Sequence, residues 1–110
     1  MRTLYHLTPR NNLRAILSEG FRDRVMGYRA RTQLRGVHFC ERPAPNRMRE
    51  PFAAVEVEVV LSEDELADFE WVSAEADCRE FLIPAVRVNN HCLLHVISEA
   101  EAYAIARAHA

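Results

Sequence analysis

The sequence predicts a single α+β domain, and three observations predict it. At 110 residues the chain is long enough for one hydrophobic core and too short for a second, so residues 1–110 are expected to form one domain. Its patterned segments run β-α-loop-β-β-α-β-β-β-β-α. Most of the strands are too closely spaced to be joined by crossover helices, which favours antiparallel pairing over a doubly wound parallel sheet.

Taken in order, Thr3 to Leu7 reads as a short strand. Thr8 offers a capping hydroxyl and Pro9 suits the first helical position, where a missing N–H costs nothing. Leu13, Ile16 and Leu17 form an apolar stripe at helical spacing, Gly20 closes that helix, and Phe21 packs back on its end. Residues 22–35 are polar and Arg-rich and form the longest stretch without a secondary-structure signal; loops of that kind carry function or are disordered. Gly36 to Cys40 is a second strand, and Pro43 and Pro45 break the chain before a turn or short helix near Asn46–Arg49.

Phe52 to Leu61 is the clearest strand: Val55, Val57, Val59 and Leu61 alternate with Glu56, Glu58 and Val60, so one face is buried. Ser62-Glu63-Asp64-Glu65 is a capping box that opens a short helix carrying Leu66. Phe69–Val72 reads as a strand, and the acidic connector Ser73–Asp77 leads to another at Arg79–Ile83, which Pro84 ends or bends. Val86–Val88 and Cys92–Ile97 read as the last strands, with an Asn89-Asn90 turn between them. Ser98 and Glu101 make a second capping box for a final helix, Glu99–Ala108, carrying Tyr103 and Ile105.

Composition narrows the function classes. Apolar residues make up 49% and charged residues 27%, the balance of a soluble globular protein. No apolar run approaches the ~20 residues of a membrane helix, and the N-terminal residues lack a signal-peptide core. The expectation is a cytoplasmic protein with no membrane partner. Cys40, Cys78 and Cys92 form no C-x-x-C pair, which favours free thiols. His38 with Cys40, and His91 with Cys92, were they zinc ligands, would have H-x-C and H-C spacings foreign to common zinc motifs; buried structural roles are expected instead, and no metal.

The net charge of −2 hides an asymmetry: residues 1–50 carry eleven Arg against four acids, and residues 51–110 carry three Arg against twelve. A solvated surface accounts for this, and so does a basic half that faces a pyrophosphate or a nucleic acid, since the guanidinium fork suits phosphate oxygens. No G-x-G-x-x-G, P-loop, H-E-x-x-H or G-x-S-x-G pattern is present. What remains is a set of polar residues inside apolar strands: His6, His38 and Glu80.

Three blocks containing those residues resemble, in order, the histidine-containing branch of the ADP-ribosyltransferase superfamily, which includes the poly(ADP-ribose) polymerases and diphtheria toxin. Leu4-Tyr5-His6-Leu7-Thr8, followed by Ile16-Leu17-Ser18-Glu19-Gly20-Phe21, is similar to its Y-H-x-T strand and I-L-x-x-G helix end. Gly36-Val37-His38-Phe39-Cys40 resembles its second block, with His38 where an aromatic residue is usual. Arg79-Glu80-Phe81-Leu82-Ile83-Pro84 resembles its catalytic glutamate strand. The stretch from Phe39 to Ala53 carries no second tyrosine block of the polymerase kind.

The resemblance implies an ADP-ribosyltransferase-like fold of two small, packed, mostly antiparallel sheets with flanking helices. It implies NAD as substrate. Glu80 and His6 would be the catalytic pair: His6 on a ribose hydroxyl, and Glu80 on the 2′-hydroxyl of the nicotinamide ribose, stabilising the cationic charge that develops as nicotinamide leaves. Leu7 would contact the nicotinamide amide through its backbone, beside Thr8 and Gly36. Tyr28 or His38 would stack on nicotinamide, and Arg22 and Arg31 would neutralise the pyrophosphate. The implied activity is mono-ADP-ribosyl transfer to a protein or nucleic acid, as in a toxin or phage-defence component with an antitoxin for partner. An RNA 2′-phosphotransferase-like enzyme and a catalytically silent nucleotide- or nucleic-acid-binding module are the alternatives.

Overall fold

A computed structural model of the chain describes residues 2–26, 34–71, 78–89 and 92–108, apart from the side chains of Val25, Met26, Leu34 and Cys92. Its centre is the pair formed by β1 (Arg2–Pro9) and β4 (Phe52–Val59), antiparallel along their whole length with Leu4 opposite Val57 and His6 opposite Val55. The free edge of β4 takes β7 (Cys92–Ile97). On the other side β1 meets β3 (Leu34–Cys40), which pairs with β6 (Glu80–Ile83), which pairs with β5 (Glu70–Trp71). A short β2 (Arg24–Met26) pairs with the first residues of β3. The order is β5-β6-β3-β1-β4-β7, and every pairing among the described residues is antiparallel.

The described strands therefore form one sheet rather than two packed ones. β4 explains why a single sheet suffices. Val55, Val57 and Val59 enter a core with Leu4, Phe39, Phe81 and Ile83, while Phe52 and Ala54 point the other way into a second cluster with Tyr5, Ile97 and Ala102. Both faces of the sheet are thus covered, by α1 (Leu13–Glu19), α2 (Glu63–Asp68) and α3 (Ala85–Asn89) on one side and by α4 (Glu99–Ala108) on the other. Each fully buried Val or Leu contributes about 1.5–3 kcal/mol of transfer free energy, so burial of this strand on two faces outweighs any local preference within it.

Locally specified elements form as expected. Ser62 Oγ accepts from Glu65 N at 3.2 Å while Glu65 Oε1 accepts from Ser62 N at 3.1 Å, and the helix they open buries Leu66. Ser98 and Glu101 repeat the arrangement at the start of α4. Gly20 closes α1 at φ +84°, and a Cβ there would sit 2.9 Å from the Asn89 side chain, so both conformation and space demand glycine. No helix among the described residues is long and apolar enough to cross a membrane.

Three local expectations are corrected by tertiary contacts. β1 runs on through Thr8 and Pro9, because β4 offers Ala53 and Phe52 as partners, and a 3-10 turn at Arg10–Asn12 precedes α1. Leu17 lies off the apolar stripe and is exposed, while Leu13 and Ile16 pack on the core. Val86–Val88, β-branched and strand-like in sequence, belongs to α3: Asp23 Oδ1 accepts from Ala85 N at 2.7 Å and Pro84 O from Arg87 N at 2.9 Å. Asn89 is the end of that helix, and its amide clamps the Phe21 backbone, accepting from Phe21 N and donating to Phe21 O at 2.8 Å each.

Candidate active site

β1 and β3 are paired at one position, Tyr5 opposite Cys40. Beyond it a side chain takes the place of backbone pairing: the His6 ring Nδ1 lies 2.7 Å from the His38 carbonyl oxygen. Since a carbonyl only accepts, Nδ1 carries the proton and Nε2 of the neutral ring is an acceptor. Between the parted strands, α1 and the chain after Gly20 lies a pocket of about 330 Å³, within the usual range for small-molecule sites.

This pocket brings together most of the residues the sequence singled out. His6, Leu7 and Thr8 of β1, Gly36 and His38 of β3, and Arg22 all line it. Gly36 is buried, and a Cβ there would meet the Leu82 side chain at 3.0 Å and the Ile83 carbonyl at 3.1 Å, so the close approach of β6 to β3 excludes a side chain. Arg24, from the Arg-rich stretch, also lines the pocket, as does Asn12, which was not singled out from the sequence. Asn12 Nδ2 donates to the buried Thr8 hydroxyl at 3.3 Å. Arg22 is held by Glu19 at 2.6 Å. Tyr28 and Arg31 lie outside the described residues.

The His6 ring is wedged against Phe21 and Phe39, with centroids 5.2 and 5.8 Å away. Burial lowers its pKa below the ordinary 6.5, and the charges of His38 and Arg24 push the same way against the hydrogen bond to the His38 carbonyl. His6 is thus built to be neutral at physiological pH.

Glu80 is not part of the pocket lining; it stands one strand further on, opposite Cys40, and is 2% exposed. Its Oε1 accepts from Arg47 at 2.5 Å, lies 2.9 Å from His38 Nε2, and takes a longer contact from the Cys40 thiol at 3.9 Å. Oε2 is buried with no hydrogen-bond partner among the described residues. His38 is the link between the two places, its backbone held by His6 in the pocket and its ring on Glu80. Burial opposes the Arg47 charge, but the hydrogen bond and charge of Glu80 outweigh it and raise the Arg47 pKa. Arg47 comes from the 3-10 turn Pro45–Arg47, a contact no local pattern announces.

Cys40 and Cys78 are free thiols. Burial, then the charge of Glu80, pushes the Cys40 pKa from 9.0 up to about 12. Burial and the hydrogen bond to Glu56 likewise push Tyr5 from 10.0 to about 12. In both cases the folded state keeps a proton that the unfolded chain releases. Stability is therefore expected to hold up to about pH 9, to fall as pH rises through 9 to 12, and to steepen once tyrosine joins above 10. Urea midpoints measured from pH 8 to 11 check this, and Cys40→Ser should delay the onset by about one pH unit.

No protein-family model matches the chain, and no curated protein or solved structure does either, so the site's chemistry is read from its own residues.

Proposed function

We propose that the pocket between β1 and β3 binds NAD and that the protein transfers ADP-ribose from it to a protein or nucleic-acid acceptor. The observation that carries this reading is the convergence of His6, Leu7, Thr8, Gly36 and His38 on one pocket, with the His38 ring hydrogen-bonded to Glu80. Neutral His6 offers an acceptor nitrogen for a ribose hydroxyl, and Arg22 and Arg24 supply positive charge where a pyrophosphate would lie. In the reaction the bond between nicotinamide and the ribose C1′ breaks, nicotinamide leaves with the electron pair, and the Glu80 carboxylate stabilises the cationic sugar until the acceptor's nucleophile attacks. Glu80 does not line the pocket, so this step requires its carboxylate to leave the cover of Arg47 and the His38 ring and face the ribose.

One feature favours a second reading, a silent nucleotide-binding module: Glu80 is neutralised by Arg47 and covered by His38. Calorimetric titration with NAD, run beside an assay of nicotinamide release, separates the two. The transferase reading expects release by the wild type and a loss of about 10²–10³-fold in Glu80→Gln, with NAD affinity changed only a few-fold. Binding without release assigns the silent module. Glu80→Gln releasing nicotinamide at the wild-type rate would remove Glu80 from the chemistry.

A further inference from the structure

On a strand, positions two apart share a face, so the H-x-C spacing that fits no common zinc motif aims His38 and Cys40 at the same place. Glu80 is the register partner of Cys40 on β6. One ligand atom from each of His38, Cys40 and Glu80 lies within 4.8 Å of the others. The Cys78 thiol, two residues before Glu80, acts on Cys40 from outside that set of three. The other carboxylate oxygen of Glu80, Oε2, is buried with no hydrogen-bond partner among the described residues, which leaves an acceptor that a bound ion would satisfy.

We propose that His38, Cys40 and Glu80, joined on binding by Cys78 as fourth donor, form a site for a thiophilic divalent transition ion of the Zn²⁺ class. One imidazole, two thiols and one carboxylate suit a tetrahedral, borderline-soft cation and are foreign to Mg²⁺ or Ca²⁺, which take oxygen. Bond lengths of about 2.0–2.3 Å put tetrahedral donors roughly 3.3–3.8 Å apart, so the three gathered donors close by about 1 Å while Cys78 turns in to meet them. Arg47 holds the place in the meantime. Its side chain is a third exposed and donates to Oε1, and an ion that takes its place beside Glu80 substitutes two positive charges for one. The inference stands on this geometry and not on the NAD reading, although both draw on Glu80, so the metal-loaded protein would not turn over NAD.

The test is titration of the full chain, reduced and chelator-treated, with Co²⁺. The expected result is one equivalent bound with the visible bands of tetrahedral cobalt and thiolate-to-cobalt charge transfer in the near ultraviolet, reversed by Zn²⁺. Cys40→Ser, Cys78→Ser and His38→Asn should each weaken binding by at least about tenfold, with circular dichroism confirming the fold, whereas Cys92→Ser should bind as the wild type does. Zn²⁺ should raise the melting temperature of the wild type and Mg²⁺ should not. An octahedral cobalt spectrum, or none, in the wild type overturns the proposal even where a variant fails to fold. So does loss of the signal in Cys92→Ser.

Discussion

Arg47→Ala is expected to lower folding stability by about 3 kcal/mol. Removing one partner of a buried ion pair leaves the other charge uncompensated and costs about 3–5 kcal/mol. The lower end applies because the Arg47 side chain is 36% exposed, so water replaces part of what it supplied, while Glu80 at 2% has no such recourse. The carboxylate keeps only His38 Nε2 and the weak Cys40 contact. Arg47 makes further contacts of its own, and the double variant separates them from the charge effect. If the loss is electrostatic, Arg47→Ala with Glu80→Gln regains most of it in urea denaturation. A loss in Arg47→Ala no larger than the roughly 1 kcal/mol of a surface pair would mean that the Glu80 charge is balanced elsewhere.

Phe39→Ala is expected to cost about 3–5 kcal/mol, the range for truncating a fully buried aromatic ring. Phe39 has no exposed surface, and its ring meets Phe21 at 5.4 Å and His6 at 5.8 Å. The cavity would open beside the pocket wall, so the effect is not confined to stability. With one of its two covering rings gone, His6 is better hydrated, and its pKa should move back up toward 6.5 in an NMR titration. Phe39→Leu, which retains most of the volume, should cost roughly half as much and shift His6 less. A His6 pKa unchanged in Phe39→Ala would show that Phe21 alone sets its burial.

What was legible in the sequence follows the range of the interactions. The two capping boxes at Ser62 and Ser98 are closed by residues three apart, so the local sequence contains every atom needed. Gly20 was legible because a helix stop before Phe21 asks for positive φ. Val55, Val57 and Val59 were legible because alternation is a property of one strand. Val86–Val88 was not: its helix depends on Asp23, 62 residues away, whose Oδ1 accepts from Ala85 N. The end of β1 was not, since Pro9 is extended only because Phe52 lies opposite.

The strands that carry His6 and Glu80 divide in the same way. By itself the sequence determined the α+β class, the polar positions planted in apolar strands, and the alternation that gives each strand two faces. The tertiary structure alone decided that the described strands make one sheet and that β1 and β3 part after Tyr5. It also decided that His6 faces a pocket while Glu80 sits one strand beyond, under His38 and against Arg47. The reason is physical. Facing is set by residues two apart and is written locally, whereas a buried carboxylate is tolerable only beside a cation, and that cation comes from a turn 33 residues away.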